Sequence, residues 1–185
     1  SATLIVATAN LFSQQLVTKD SLQAINLQEV EVLSIRATET TPIAYTNIDS
    51  KELSTYNSGL DFPYMVSMTP SAITTRDAGT GIGYTTLRVR GTDGTRINVT
   101  ANGIPINDAE SHNVFWVNMP DIASSVKDVQ IQRGVGTSTN GAGSFGASIN
   151  LQTGHMSSKP YAQIGSSYGS FGTHREYIKA GTGII

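Results

Sequence analysis

Apolar and polar residues alternate with the period of a β-strand in several separate stretches of the chain. Alternation is strict at Leu27-Gln28-Glu29-Val30-Glu31-Val32-Leu33-Ser34, with Val30 and Val32 on one face and Glu29 and Glu31 on the other. Such a strand needs a partner, and pattern alone leaves open whether it is an edge strand of the next domain. Strands are also expected at Thr86-Leu87-Arg88-Val89-Arg90 and Ile97-Asn98-Val99-Thr100-Ala101. Asn102-Gly103 comes next, flanked by apolar residues, and is a hairpin signal because both turn residues must tolerate positive φ. Ile104-Pro105-Ile106 returns along that hairpin. Pro105 has no N–H to donate, so its strand belongs at a sheet edge or ends there. Val129-Gln130-Ile131-Gln132 and residues Ala147 to Thr153 alternate again, joined by Gly-rich turns between Gly134 and Gly146.

Helical spacing occurs in two short pieces. Asp49-Ser50-Lys51-Glu52 has capping-box spacing, with Leu53 and Tyr56 following at helical intervals and Gly59 as a stop. A second helix is expected from Asp61, with Pro63 in its first turn and Pro70 ending it, burying Phe62, Val66 and either Met65 or Met68. Pro120 to Ser125 fits one helical turn. Together these elements predict an α/β (α+β) domain over residues 35–155, with a small mixed sheet and short helices.

The tail has a different pattern. Tyr161 to Tyr168 and His174 to Gly181 are strand-like runs separated by Gly169-Ser170-Phe171-Gly172, and their faces mix aromatic, small and charged residues. This is the weak alternating signal of a transmembrane β-hairpin, close to the roughly nine to eleven residues such a strand needs. Residues 156–185 are therefore expected to be the first hairpin of a barrel. A lone hairpin is unstable and its open edges are intolerable in lipid, so further strands are expected beyond Ile185.

Composition narrows the function. Hydrophobic residues make up 38% of the 185, enough for a core, whereas charged residues are only 14% and glycine reaches 18 copies. That balance favours strands, tight turns and close backbone packing. The net charge of −2, with both signs interspersed, gives no face for nucleic acid. No cysteine is present, which excludes disulfides, thiolate metal sites and a lipoprotein anchor. Ala2 to Ala9 is an apolar run too short to span a bilayer and ends in Ala7-Thr8-Ala9, so residues 1–14 read as the remnant of a signal peptide or, alternatively, a buried strand. Residues 15–34 read as a flexible lead-in.

Motifs that point to enzymes fail on context. Gly141-Ala142-Gly143-Ser144-Phe145-Gly146 matches the dinucleotide fingerprint, yet the glycines lead into a strand instead of a helix, and no acidic residue lies about 20 positions on. Gly165-Ser166-Ser167-Tyr168-Gly169 has the nucleophile-elbow spacing but lies in the expected hairpin. His112, His155 and His174 lack metal-ligand spacing. Neither an enzyme, a cofactor nor a metal site is expected.

The order of these parts, and three motifs within it, resembles the TonB-dependent outer-membrane receptors. Leu87-Arg88-Val89-Arg90-Gly91 is similar to that family's plug motif, and Asn102-Gly103-Ile104-Pro105-Ile106-Asn107-Asp108 to the hairpin after it. Val129 to Gly134, followed by Asn140 to Thr153, resembles the segment that closes the plug. Phe115-Trp116-Val117-Asn118-Met119-Pro120-Asp121 is worded like receptors of the Bacteroidetes type. The resemblance departs at Met68-Thr69-Pro70-Ser71-Ala72, where Ser stands for a common Gly, and at Ala101, where Asp or Asn is common.

The resemblance implies a plug that gates uptake of a scarce nutrient through a barrel of about 22 strands in the outer membrane. It implies TonB, the inner-membrane energy complex, as partner, gripping a TonB box at Glu29, Val30, Glu31, Val32 and Leu33 by strand addition. Arg88, Arg90 and Arg133 would ion-pair with carboxylates of the barrel lumen. Gly91, Asn102, Gly103, Gly134, Gly141 and Gly146 would be structural turns. A nutrient ligand such as a metal chelate would meet the outward loops through Arg76, Asp77, Asp93, His112 and Trp116. The alternative is a free-standing periplasmic ligand-binding module with no pore.

Overall fold

The computed structural model describes residues 36–79, 82–136, 141, 143–154, 157 and 159–183. Its first strand, β1 (Ala44–Asp49), runs directly into helix α1 (Ser50–Tyr56). Asp49 caps that helix by accepting the Glu52 N–H at 2.7 Å, satisfying one of the donors a helix start leaves open. Helix α2 (Phe62–Val66) carries Pro63 in its first turn, as its spacing predicts. It stops short of Pro70: the Thr69 N–H and hydroxyl both close back on the Val66 carbonyl, and Ser71 takes φ +65. Met65 is buried and Met68 is exposed, which settles which methionine fills the core.

β2 (Ala72–Arg76) and β3 (Thr85–Val89) pair antiparallel as a separate ribbon. The strand expected at Thr86–Arg90 ends at Val89 because Arg90 turns into the left-handed region at φ +52. β4 (Ile97–Ala101), β5 (Ile104–Pro105), β6 (Val126–Arg133) and β7 (Ala147–Thr153) join β1 in one sheet of order β1-β6-β7-β4-β5. Within it β4 runs parallel to β7 and the other neighbours are antiparallel. β5 is an edge, the place Pro105 requires. Between Phe115 and Ser125 the chain makes two 3-10 turns, at Trp116–Asn118 and Ile122–Ser124, separated by a left-handed Asp121. β8 (Tyr161–Tyr168) and β9 (His174–Gly181) form a hairpin with no strand neighbour but each other among the described residues. β1 and β2 are not evident from sequence.

Register assigns the sheet two faces. Ile48, Val129, Ile131, Ile149, Leu151, Ile97 and Val99 line one of them and pack with Leu53 of α1, Phe62, Met65 and Val66 of α2, and Leu87, Val89 and Trp116. Each such side chain contributes roughly 1.5–3 kcal/mol by leaving water. Simple alternation would place the opposite face in solvent, but it is buried too: Gln132 and Ser148 are 0% exposed, and Gln130, Asn98, Thr100 and Asn150 are also buried. Some of its polar groups bond to one another, Thr100 Oγ1 donating to Asn150 Oδ1 at 2.7 Å and Gln132 Nε2 to Gln130 Oε1 at 2.9 Å, whereas Ser148 Oγ and Asn150 Nδ2 are buried without a hydrogen-bond partner among the described residues. The bonded pairs offset the cost of burial and the two bare groups do not.

Candidate functional site

Glu29, Val30 and Glu31, with Val32 and Leu33, lie outside the described residues. The outward loops and the seam between domain and hairpin are described.

Arg76 and Asp77 stand where β2 leaves its ribbon, both exposed. The Arg76 guanidinium lies 5.1 Å from the centre of the Tyr64 ring, and the Asp77 N–H donates to the Tyr84 carbonyl at 3.2 Å. The far side of this loop is tied down by Asp61, whose buried carboxylate accepts the Gly83 N–H at 3.0 Å and the Thr85 hydroxyl at 3.1 Å. The sequence marks Asp61 only as a helix start and gives no sign that it anchors the loop.

Asp93 caps the 3-10 turn Gly94–Arg96, accepting the Thr95 N–H at 3.1 Å. The Thr95 hydroxyl bonded to it, then the Thr95 N–H and the Arg96 and Arg88 charges, hold its carboxyl below the ordinary range against a smaller opposing effect of desolvation. His112 sits at φ +57 in the next loop, where its N–H donates to the Asp108 carbonyl at 2.9 Å and its carbonyl accepts from Asn107 Nδ2 at 2.9 Å. Asp108 accepts both the N–H and the hydroxyl of Ser111 at 2.8 Å, and those two bonds, the N–H first, lower its pKa. These loops are stiffened by side chains folding back on local backbone, which Asp, Asn and Ser do well.

Trp116 is a correction. It is 4% exposed and its ring stacks on Phe62 with centroids 4.9 Å apart, so it fills the core and presents no binding surface. Entry into a 3-10 turn aims this side chain at α2, and it is the neighbouring Phe115 that faces outward.

Of the expected turn residues, Gly91, Gly134 and Gly141 take positive φ, and Asn102 and Gly103 do so together, at +51° and +82°, as a two-residue hairpin requires. Gly146 lies at the bend that leads into β7 without a positive φ, and close approach is what demands glycine there, since a Cβ would lie 1.8 Å from Thr92 Oγ1. Its carbonyl accepts the Gly134 N–H and its own N–H donates to the Arg96 carbonyl, both at 2.8 Å, which clips the start of β7 onto the turn before β4. The glycines of the dinucleotide-like motif thus precede a strand, and those of the elbow-like motif lie on β8 and just past it.

Arg88 and Arg90 are exposed, and Arg133 is half-buried. Arg133 bonds within the sheet, donating to Thr46 Oγ1 at 2.5 Å and to the Tyr45 carbonyl at 3.4 Å. Among the described residues none of the three is ion-paired. The charge contact across the seam runs with the opposite polarity. Arg175 of β9 donates to both Asp121 oxygens at 3.0 Å and to Ser124 Oγ, while Lys179 donates to the Ser124 carbonyl at 2.5 Å. Asn57 closes the cluster, its Nδ2 lying 3.3 Å from Asp121 Oδ1 and 3.1 Å from Ser124 Oγ. Both cations flank Tyr177, at 4.7 and 5.6 Å from its ring centre. Burial pushes the Asp121 carboxyl up, but the hydrogen bonds from Ser124, Arg175 and Asn57 outweigh it and leave the pKa lowered. The signal available in the sequence is Arg175, Tyr177 and Lys179 at a spacing of two, which puts all three on one face of a strand.

That face is one of two. Gln163, Ser167, Arg175, Tyr177 and Lys179 share the side toward the domain; Ala162, Ile164, Tyr168, Ile178 and Ala180 share the other, with Ser166, Glu176 and His174 nearer the turn. Ile164 and Ile178 stand directly opposite in register and are 82% and 77% exposed.

Comparison with known proteins bears on this arrangement. The profile of the TonB-dependent receptor plug domain matches residues 37–148. No curated protein matches the chain by sequence. Among solved structures, the ferric yersiniabactin uptake receptor FyuA from Yersinia pestis is similar with a TM-score of 0.59 at 17% identity, covering 80% of this chain and 23% of that one. FpvA of P. aeruginosa, bound to heterologous pyoverdines, is similar with a TM-score of 0.58 at 18% identity, over 76% of this chain and 18% of its own. The alcaligin outer membrane receptor FauA from Bordetella pertussis gives 0.54 at 19% identity, over 76% and 23%. The chain therefore spans less than a quarter of the length of these receptors.

Proposed function

The chain belongs to the TonB-dependent receptor plug domain family, and from that premise we propose that it is the gate and energy-coupling region of an outer-membrane transporter that takes up a scarce nutrient. The observation that carries this reading is the two-faced hairpin. Its polar face holds the domain through Arg175–Asp121 and Lys179–Ser124, and its opposite face presents Ile164 and Ile178 to whatever surrounds the protein. A strand pair that grips a plug on one side and bares Ala162, Ile164, Ile178 and Ala180 on the other, with Ser166, His174 and Glu176 confined to the turn end, suits a barrel wall between lumen and lipid. A free-standing periplasmic module has no use for that exposed face.

The solved structures this chain is similar to are named for ferric yersiniabactin, pyoverdines with iron, and alcaligin, so a metal chelate is the ligand class we favour, with cobalamin and oligomeric nutrients as the other members of the proposal. Arg76, Asp77, Asp93 and His112 remain the proposed ligand-facing residues, being exposed and held on stiffened loops. Arg88, Arg90 and Arg133 remain proposed partners for carboxylates of other barrel strands. Energy enters through Glu29 to Leu33 as a strand added to TonB, since no ATP exists at the outer membrane and the work must arrive mechanically.

Replacing Val30 or Val32 with Pro removes a ladder donor. Energised uptake should be abolished while ligand binding is intact. Undiminished uptake in both variants would contradict the coupling role.

A further inference from the structure

Immediately after the proposed coupling segment, the chain is fastened to the core sheet by side chains and not by a strand ladder. The Arg36 guanidinium pairs with the Asp128 carboxylate. Gln130 grips the next residue through its carboxamide: Oε1 accepts the Ala37 N–H at 2.6 Å and Nε2 donates to the Ala37 carbonyl at 2.9 Å. One glutamine thus imitates a strand's backbone for a single residue. Its orientation is fixed, because Gln132 Nε2 also donates to its Oε1 at 2.9 Å and its own Nε2 also donates to Asn47 Oδ1 at 2.8 Å. The grip is sheltered, with Ala37 5% exposed and Gln130 3%.

Past Ala37 the chain is folded on itself and, among the described residues, bonds to no strand. Thr38 to Ile43 form a turn that bonds back on itself, Thr41 N–H to the Thr38 carbonyl at 2.9 Å and Ile43 N–H to the Thr41 carbonyl at 2.7 Å. Only at Ala44 does the chain enter β1, which is zipped to β6 along Ala44–Asp49. A load arriving from the N-terminal side therefore meets a point contact, then a local turn, then a ladder.

We infer that Arg36, Ala37, Asp128 and Gln130 form a releasable latch between the root of the coupling segment and β6, which opens before any β1 ladder bond breaks. This rests on the reading of Glu29 to Leu33 as the pulled segment. The latch lies ahead of β1 along the chain, so a pull from the N-terminal side loads Arg36 and Ala37 first and reaches the ladder only after they have let go. Once it opens, residues 38–43 can straighten and release up to about 20 Å of chain, at roughly 3.3–3.6 Å per residue, while the core sheet stays whole. Asp128 and Gln130 both lie on the β6 face opposite the apolar core, so opening the latch uncovers polar groups and not hydrophobic ones.

The test uses the full-length transporter reconstituted in a bilayer. The 185 residues contain no native cysteine, so Ala37→Cys supplies a reporter among them, and its backbone groups, which are what Gln130 holds, are unchanged. Its reaction with a maleimide reads latch opening. It should be slow in the parent and about tenfold or more faster with Gln130→Leu, the factor expected from losing a buried hydrogen bond. Asp128→Arg should accelerate it as well, and adding Arg36→Asp to Asp128→Arg should slow it again, a rescue that misfolding would not give. Pulling the same protein through a handle at residue 33 should show a first release no longer than about 20 Å, at a force lowered by Gln130→Leu, followed by a β1 event at unchanged force. Labelling indifferent to both Gln130→Leu and Asp128→Arg, or a first release that already includes β1, would overturn the latch. Loss of the coupling role would be seen separately, in the uptake of the proline variants, and would leave the labelling result as it stands.

Discussion

The β6–β7 pair and the β8–β9 hairpin are written in the same alternating code and fold with opposite outcomes. In β6 and β7 the polar members of the alternation are buried: Gln132 and Ser148 are as hidden as Ile149. In the hairpin it is the apolar members, Ile164 and Ile178, that are bare, while Arg175 and Lys179 on the other face reach protein partners. The difference lies in what covers each face. A central strand flanked on both edges and packed on both faces must satisfy its amides internally, which Gln130 and Gln132 do by bonding to each other and to Ala37 and Asn47. The hairpin has a polar neighbour on one side only, so its apolar face is the one left over. Alternation specifies that two faces differ; it does not specify which one meets solvent.

The largest expected effects lie in the core. Trp116→Ala should cost about 3–5 kcal/mol in chemical unfolding of the full-length protein, by loss of its stack on Phe62. Ligand affinity of the fraction that remains folded should be unchanged; a direct affinity loss with stability intact would return Trp116 to the binding surface. Ile149→Ala should cost about 2–5 kcal/mol at a site with 0% exposure, whereas Ile164→Ala should stay within about 1 kcal/mol. Equal effects at the two isoleucines would erase the contrast between strand pairs. Ile164→Lys is the sharper probe of the hairpin, at about 2–4 kcal/mol in a bilayer if that face meets lipid near the midplane, and close to zero if it meets water.

The smallest effect concerns the seam. Asp121→Asn keeps a residue that tolerates the left-handed backbone at φ +57 but removes the charge that Arg175 engages, so the loss should be no more than about 1 kcal/mol at neutral pH for this partly exposed pair. Because the folded pKa of Asp121 is lowered, its contribution is present above the unfolded carboxylate value of about 3.9 and is lost as pH falls through the folded one. Unfolding curves of parent and variant should differ equally at pH 6 and 8 and converge in acid. A gap that instead closes on going alkaline would contradict the assignment.

How much can be read from the chain depends on whether the deciding physics is local. Asp49 capping α1, the Asn102-Gly103 turn, Pro105 on an edge and the span of β8 and β9 obey backbone rules within a few residues, and all are found. β1 and β2 escape because AYTNID and AITTR carry little alternation; β1 is a strand because β6 offers an edge, and β2 because β3 folds back on it. Trp116 and Asp61 escape for a related reason. A loop tryptophan looks like a contact residue and a helix-start aspartate like a cap, until tertiary structure supplies Phe62 to one and Gly83 and Thr85 to the other. The polarity of the seam is equally non-local, since Asp121 and Arg175 are far apart in sequence.

The most direct test of the central claim is the environment of the hairpin's outer face in the full-length protein in its membrane. Single cysteines at positions 163, 164, 178 and 179, carrying a fluorophore, would be challenged in turn with a lipid-soluble and a water-soluble quencher. A plug continuing into a barrel wall predicts that the labels replacing Ile164 and Ile178 respond to the lipid quencher and that those replacing Gln163 and Lys179 do not. Water quenching at all four positions would contradict a barrel wall, and with it the reading of this chain as a transporter's gate.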